Sequence, residues 1–262
     1  MWVYLRVDEP LPECLCFTAN TAGSTVNLYK QGNPTTLSLE TSTDWISWTP
    51  YSYYTAINLA NIWDKVYFRN TSESNHRCNT GATNRNYFIM SWSISASWNI
   101  NYLINKNWED FTNSYGICNM FQWCTALTTP PELPTKVLTQ YCYSNLFQWC
   151  TNLTKAPELP ATSLEQYCYN NMFYGCSNLE ELPKITQTGL SYRSCINMFW
   201  DCVKIKLSTT QTWEYQTAYR IPTTWTWTDD WQALSNMFYW TWWTFTWTPS
   251  INTTYYTSNT VV

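Results

Sequence analysis

A segment of 26 residues recurs in the chain and limits the folds that it can adopt. "CNMFQWCTALTTPPELP" at 118–134 returns as "SNLFQWCTNLTKAPELP" at 144–160 and, more loosely, as "NNMFYGCSNLEELPKI" at 170–185. The same step separates four phenylalanines and four cysteines: Phe121, Phe147, Phe173 and Phe199, and Cys124, Cys150, Cys176 and Cys202. A period of about 20 to 29 residues with recurring leucines is typical of leucine-rich repeats, which bury their apolar faces by stacking.

Within each repeat, an apolar pattern precedes an extended segment. In "SLEQYCYNNMF", Leu164, Cys168 and Met172 are spaced by four residues, which predicts one face of a short helix. The following "NLEELPKI" contains a proline, which predicts a short strand. We therefore expect an α/β leucine-rich-repeat solenoid of about four coils over residues 109–207, made of short parallel strands and short helices.

The flanking regions lack this repeat. Residues 1–108 contain short alternating runs such as "STVNLYK" and "KVYFRN", separated by turn signals, which predict a small all-β sandwich domain. Residues 208–262 are rich in threonine and tryptophan and have weak periodicity. We expect them to form an irregular C-terminal cap over the last coil.

Charge and hydropathy exclude two classes of partner. The chain has 14 Lys and Arg against 18 Asp and Glu, a net charge of −4, so we expect no nucleic-acid partner. No apolar run approaches the roughly 18 residues of a membrane helix, so no membrane insertion is expected. Asp8 and Glu9 lie where a signal peptide would have its apolar core, and none is predicted in the chain as given.

The 11 cysteines include the regular series at Cys124, Cys150, Cys176 and Cys202. We interpret this series as small buried residues of successive repeats, because a free cysteine packs as a compact hydrophobic residue. Disulfides and a metal site are the alternatives, although no CxxC pair or Cys–His cluster supports zinc. The chain is expected to bind no metal and no cofactor.

Tryptophan and glycine share one slot of the repeat. Two places after the repeat phenylalanine stand Trp123, Trp149, Gly175, Asp201 and Trp240. Trp45 in "STDWIS" and Trp108 in "NKNWED" also lie where a turn glycine would be ordinary, whereas Trp48 in "ISWTPY" does not. The chain has 18 Trp and 6 Gly, although glycine usually makes up about 7% of a chain. Our hypothesis is that many of these tryptophans are encoded by UGA codons, which the source organism reads as glycine. The alternative is a protein that is truly rich in tryptophan.

The motifs "NMFxxC" and "PELPATSLEQYCYNNMFYGCSNL", with their 26-residue step, resemble the BspA-like leucine-rich-repeat surface proteins of gut bacteria and their phages. The resemblance covers residues 118–207. It implies surface display and adhesion to host or cell-surface macromolecules. It implies no catalysis, and it assigns no functional residue to a position in this chain.

No set of residues in the sequence predicts an enzyme. The single histidine, His76, lies in the polar run "SESNHRC", and a lone histidine in a loop is far more often solvated than catalytic. No Ser–His–Asp set, phosphate-binding glycine loop or paired acidic dyad is present. A carbohydrate-active enzyme that uses the aromatic residues would therefore lack its acid/base pair.

The candidate binding residues repeat with the same period and are listed together: Tyr141, Tyr143, Tyr167, Tyr169, Glu132 and Glu158. We expect the tyrosines to divide between core and surface, and the exposed ones to form an aromatic strip suited to glycans or proteins. The two glutamates are expected to form a solvated acidic face.

These observations predict a non-enzymatic surface adhesion or recognition module. It would bind a macromolecule, either a host protein or a glycan, through a face of the repeats. We expect it at the cell surface or outside the cell. The alternative is a structural or receptor-binding, tail-associated protein of a phage virion.

Overall fold

The computed structural model describes residues 13–73, 77–81, 83–107, 113–223, 225–226, 230–241 and 248–262. This part of the chain is almost entirely β and forms several small sheets. The strands are β1 (Leu15–Ala19), β2 (Ser24–Gln31), β3 (Leu39–Ser42), β4 (Thr49–Pro50), β5 (Ile57–Leu59), β6 (Lys65–Asn70), β7 (Arg85–Ser91), β8 (Ile94–Ser97), β9 (Leu127–Thr129), β10 (Val137–Leu138), β11 (Ser163–Leu164), β12 (Glu181–Leu182), β13 (Gly189–Leu190), β14 (Leu207–Ser208), β15 (Thr217–Ile221), β16 (Trp225–Thr226), β17 (Thr253–Thr257) and β18 (Thr260–Val261). A 3-10 helix spans Ile100–Leu103, and a single-turn α-helix spans Asp230–Ala233.

Two sheets form the N-terminal region. One has the strand order β4-β3-β6-β1-β8-β9 and the other β5-β2-β7. Apolar residues at alternate positions face inward, and Phe17 packs edge-on against Phe68 and Phe88 with ring centroids 5.7 and 4.9 Å apart. Since Phe17 and Phe88 belong to different sheets, these rings hold the two sheets together.

The small all-β sandwich predicted for residues 1–108 agrees with this arrangement only in part. Two sheets do pack on a shared core, and most of their strand pairs are antiparallel. The larger sheet, however, continues past that boundary, because β8 pairs in parallel with β9, which lies in the repeat region.

Ten-residue turn segments dominate the repeat region: 115–124, 141–150, 167–176 and 193–202, with a shorter fifth one at 233–241. We call them the turn repeats. Within each one, alternate N–H groups donate to the carbonyl three residues back, as Leu146 does to Tyr143 at 3.1 Å. The remaining N–H groups donate to the next turn repeat, as Phe147 does to Met172 at 3.0 Å. The turn repeats therefore lie directly on one another.

Every fourth residue of a turn repeat has a left-handed backbone. In the second one these residues are Tyr141, Asn145 and Trp149, with φ of 59°, 54° and 62°. The equivalent Asn119, Asn171, Asn197 and Asn236 also have positive φ. Asparagine tolerates this region better than most residues, which accounts for its recurrence at one position.

The predicted α/β leucine-rich-repeat solenoid is wrong. Between residues 113 and 207 the structure contains short strands and turns and no helix. Leu164, Cys168 and Met172 are all buried, but their spacing of four arises from the left-handed residue at every fourth position. An α-helix would need each N–H to reach the carbonyl four residues back, and here half of these groups bond to the next turn repeat.

Identical side chains line up between the turn repeats. The rings of Phe88, Phe121, Phe147, Phe173, Phe199 and Phe238 form one continuous column, with centroids 5.3–5.7 Å apart. The amide of Asn171 donates to Asn145, and that of Asn197 to Asn171, both at 3.0 Å. The buried residues form one contiguous core through the N-terminal sheets and the turn repeats.

The predicted burial of the cysteine series is confirmed. Cys124, Cys150, Cys176 and Cys202 are at most 2% exposed. Each thiol donates to the carbonyl of a phenylalanine in the preceding layer, at 3.0–3.1 Å. All eleven thiols are free and buried, so the cysteines serve as packing residues here.

The C-terminal region is more regular than the irregular cap that we expected. β17 pairs antiparallel with β14 and β15, while β18 and β16 pair in parallel with β12 and β13. Tyr219 on β15 is 1% exposed and packs edge-on against Phe238 at 6.2 Å. The domain limits at residues 108 and 207 stay predictions.

Candidate functional site

Three half-buried tyrosines form a second aromatic column on the turn repeats. The rings of Tyr115 and Tyr141 are parallel within 1° and 4.8 Å apart, and those of Tyr141 and Tyr167 are parallel within 7° and 4.5 Å apart. We call Tyr115, Tyr141 and Tyr167 the tyrosine column. They occupy equivalent positions 26 residues apart, so the stacking of the turn repeats aligns them.

All three tyrosines of the column lie in the left-handed region, with φ of 67°, 59° and 61°. This conformation costs about 1–2 kcal/mol for a residue with a β-carbon. Stacking of two neighbouring rings returns about 0.5–1.5 kcal/mol per pair, which does not offset three such strains in full. The same residues also bond to the next turn repeat through the backbone: Tyr115 donates to Gln140 at 2.8 Å and Tyr141 to Gln166 at 3.0 Å.

The three tyrosines are half-buried, and the stacking covers both faces of Tyr141 and one face each of Tyr115 and Tyr167. Burial raises the pKa of Tyr141, and the neighbouring phenols of Tyr167 and Tyr115 raise it further. The Tyr141 hydroxyl therefore stays protonated at neutral pH and can both donate and accept hydrogen bonds.

Positive charge lies at one end of the column. Arg193 occupies the fourth equivalent position, also with a left-handed backbone at φ of 52°. Its guanidinium carbon lies 5.0 Å from the ring centroid of Tyr192, and its Nε donates to Gln232 at 2.9 Å. Tyr192 in turn packs edge-on against Tyr167 with centroids 5.7 Å apart. The column thus ends in an aromatic ring and a cation.

The other two candidate tyrosines belong to the core. Tyr143 and Tyr169 are 1% and 0% exposed, and their rings stack at 6.2 Å. They lie two residues after Tyr141 and Tyr167, so successive odd positions of a turn repeat alternate between the surface and the interior. A partner at the surface would meet Tyr141 and Tyr167 and not these two.

Glu132 and Glu158 are exposed and line a groove of about 590 Å³. The groove is bounded by the proline-rich segments of two adjacent repeats: Thr129, Pro130, Pro131, Glu132, Leu133, Pro134, Lys155, Ala156, Pro157, Glu158 and Pro160. The amine of Lys155 on its rim lies 3.1 Å from a carboxylate oxygen of Glu181. The two glutamates occur one repeat apart, and no histidine lies among the lining residues.

Nucleophilic and metal-binding groups are poorly placed for chemistry in the described part of the chain. Burial raises the pKa of the Cys118 and Cys195 thiols to about 12, so neither is a thiolate at neutral pH. Among the described residues, no cluster of three or more His, Cys, Asp or Glu could hold a metal ion. His76 lies outside the described residues.

Sequence reasoning missed Tyr115, the first residue of the column. The signal was available, because Tyr115 precedes Tyr141 by the repeat length of 26 residues. Its neighbours "NSYGIC" match the later "TQYCYS" poorly, which hid the equivalence. The structure shows that the two positions are equivalent, because the rings of Tyr115 and Tyr141 stack on each other.

The chain matches no family model, no curated protein and no solved structure. Among the described residues, no helix is long and apolar enough to cross a membrane.

Proposed function

We propose that the protein is a non-enzymatic recognition module, displayed at a cell surface, that binds a macromolecule through the tyrosine column. The single observation that supports this most strongly is the column itself: three parallel, half-exposed rings in one register. The sequence resemblance of the repeats to surface adhesion proteins supports the setting.

The cost of the column supports a role in binding. Glycine would occupy the same backbone region without strain, yet three turn repeats hold tyrosine there. Strained non-glycine residues of this kind cluster at ligand-binding sites, where the surrounding structure holds them in place. Tyrosine is also enriched at binding hot spots, since it offers a large apolar surface and a hydroxyl at a low entropic cost.

The geometry favours a protein partner over a glycan. A sugar ring stacks on an open aromatic face, whereas both faces of Tyr141 and the inner faces of Tyr115 and Tyr167 are covered by a neighbouring ring at 4.5–4.8 Å. Ring edges, hydroxyls and the nearby Arg193 suit hydrogen bonds and apolar contacts with side chains of a protein. A partner with acidic residues near its tyrosine-binding surface would match the Arg193 end.

A binding assay with two variants tests this proposal. The Tyr141→Gly, Tyr167→Gly double variant removes two rings and keeps the left-handed backbone, because glycine adopts it freely. Tyr54→Gly is the matched control, since Tyr54 is 57% exposed with φ of 67° and lies outside the column. Labelled protein is titrated onto intestinal epithelial monolayers, untreated or pretreated with trypsin or with glycosidases.

We expect saturable binding by the unchanged protein and by Tyr54→Gly, and binding about tenfold weaker or more for the double variant. Trypsin pretreatment should abolish binding and glycosidase pretreatment should not. Equal binding by all three proteins would refute the role of the column. Loss of binding with glycosidase alone would show a glycan partner instead.

A further inference from the structure

The tryptophans divide into two groups by backbone conformation. Trp45, Trp63, Trp92, Trp98, Trp123, Trp149 and Trp240 have φ between 55° and 74°. The others whose side chains the structure describes, Trp48, Trp200 and Trp213, do not have positive φ. A bulky residue at positive φ is a genuine outlier in proteins, so seven in one chain need an explanation.

Phenylalanine provides a comparison within the same chain. Of the ten phenylalanines, Phe111 and Phe245 lie outside the described residues, and none of the others has a positive φ. Aromatic size alone therefore does not direct residues into this conformation. Tyr54 and the tyrosine column also have positive φ, but they are a minority of the 20 tyrosines.

In the turn repeats, the left-handed position that holds tryptophan in three copies also holds glycine and aspartate. Trp123, Trp149 and Trp240 share one structural position with Gly175 and Asp201, and all five have φ between 55° and 75°. A β-carbon built on Gly175 would lie 2.3 Å from Cε3 of Trp149, so the indole of one repeat occupies the space above the next. The stacked indoles of Trp123 and Trp149 fit because the equivalent residue of the next turn repeat, Gly175, has no side chain.

Trp200 lies one residue before the position that Trp123, Trp149 and Trp240 share, and its backbone and contacts differ from theirs. It precedes Asp201, has no positive φ, and its ring stacks on Tyr174 at 5.4 Å and lies 4.1 Å from Tyr239. Its position holds an aromatic residue in the two adjacent repeats. Trp48 likewise has a specific partner, the guanidinium of Arg69 at 3.9 Å from its ring centroid. These tryptophans fit their surroundings as tryptophan.

The first group makes ring contacts within itself and with half-buried aromatic residues, and none of these outside partners belongs to the buried core: Trp48, Tyr67, Tyr174, Trp200 and Tyr239. Trp45 packs against Trp98 at 5.5 Å, and Trp123 stacks on Trp149 at 5.3 Å. Trp63 and Trp92 are 74% and 71% exposed. Replacing the whole group by glycine would therefore leave few unmatched partners in the core.

We infer that residues 45, 63, 92, 98, 123, 149 and 240 are glycine in the protein as its source organism makes it, encoded by UGA codons, whereas Trp48, Trp200 and Trp213 are tryptophan. A single base separates the glycine codon GGA from UGA. The repeat position that holds Trp123, Trp149 and Gly175 is then glycine in all of the first three turn repeats. The exposed indoles at positions 123 and 240 disappear from the surface, and the tyrosine column remains its main aromatic feature.

Two measurements test this inference independently of any binding partner. The coding sequence should read UGA at the seven positions and UGG at 48, 200 and 213. Peptide mass spectra of the protein purified from its source organism should show glycine at the seven positions. UGG codons at the seven, tryptophan in those peptides, or UGA spread equally over both groups would overturn the inference.

Stability of the full chain gives a third measurement, which does not depend on the source organism. Trp63→Gly and Trp92→Gly should each raise the ratio of folded to unfolded protein about two- to fivefold, because the relief of backbone strain exceeds the entropy that glycine adds to the unfolded chain, and little contact is lost. Trp213→Gly is the control, since Trp213 is 86% exposed without a positive φ, and it should bring no gain. Denaturant titrations followed by circular dichroism give these ratios. A gain in all three variants, or in none, would contradict the assignment.

Discussion

In the chain that carries tryptophan at positions 123 and 149, replacing Gly175 by tryptophan makes the third turn repeat like the first two and tests the contact between positions 149 and 175 directly. Gly175 has φ of 75°, and its backbone N–H donates to Trp200 at 2.8 Å. A β-carbon at this position would lie 2.3 Å from Cε3 and 2.7 Å from Cδ2 of Trp149. Gly175→Trp therefore adds backbone strain and a steric clash with the ring of the preceding repeat.

The two effects have separable magnitudes. A non-glycine residue in the left-handed region costs about 1–2 kcal/mol, and overpacking of a filled site costs about 1–3 kcal/mol. Gly175→Trp should therefore lower the free energy of unfolding by about 2–5 kcal/mol. In the background of Trp149→Gly the clash is absent, and the same substitution should cost only about 1–2 kcal/mol.

A double-mutant cycle isolates the clash from the strain. The four proteins are unfolded with urea and followed by far-ultraviolet circular dichroism, because fluorescence would change with each tryptophan. We expect a coupling energy of about 1–3 kcal/mol between positions 149 and 175. A coupling below about 0.5 kcal/mol, the usual error of additivity, would mean that the two positions do not contact each other, and the stacked register would be refuted.

Three further predictions concern the core. The native protein should react with Ellman's reagent at almost none of its eleven buried thiols until denaturant is added, and rapid labelling without denaturant would contradict the burial. Burial raises the folded-state pKa of Cys118 and Cys195 from 9.0 to about 12, so their contribution to stability is complete below about pH 9 and is lost as the pH rises toward 12. Urea titrations between about pH 9 and 12 should show a falling free energy of unfolding. A free energy of unfolding that does not change over this range would contradict the burial of these thiols. Phe173→Ala should cost about 3–5 kcal/mol in the same titration, because the ring is fully buried between Phe147 and Phe199, and a cost below about 1 kcal/mol would exclude the phenylalanine column.

The repeat length and the buried residues could be predicted from the sequence, whereas the local backbone could not. A 26-residue step in Phe121, Phe147, Phe173 and Phe199 requires equivalent surroundings, and the ring stack follows from it. The four-residue spacing of Leu164, Cys168 and Met172 fits a helix as well as it fits a series of turns. The asparagines were the distinguishing signal, since one at a fixed position of each repeat indicates a recurrent left-handed residue.

The candidate site was predicted only in part for the same reason. The six candidate residues came from periodicity, and periodicity does not say which of two tyrosines two residues apart faces solvent. The turn geometry decides it: Tyr141 and Tyr167 lie at left-handed positions on the surface, while Tyr143 and Tyr169 are buried. Glu132 and Glu158 were expected to be solvated, and they lie exposed on the proline-lined groove.

The stacking of the 26-residue segments is the claim on which the tyrosine column and the glycine slot both depend. Gln140 and Gln166 are equivalent residues of adjacent repeats, and the amide nitrogen of one lies 3.4 Å from the amide oxygen of the other. The N–H of Tyr141 donates to the carbonyl of Gln166 at 3.0 Å, so the two backbones are in hydrogen-bonding contact. Backbones bonded in this way in β-structure lie about 4.8 Å apart, within the range of α-carbon separations that a disulfide spans. The double variant Gln140→Cys, Gln166→Cys should therefore crosslink under mild oxidation.

Peptide mapping of the oxidised protein provides that measurement, with Gln140→Cys, Glu180→Cys as the control pair. Position 180 is not equivalent to 140, and its N–H donates to the carbonyl of Thr154 at 2.9 Å. We predict a disulfide between positions 140 and 166 in nearly every molecule and none between 140 and 180. No linkage at 140–166, or equal linkage in both pairs, would contradict the stacked register.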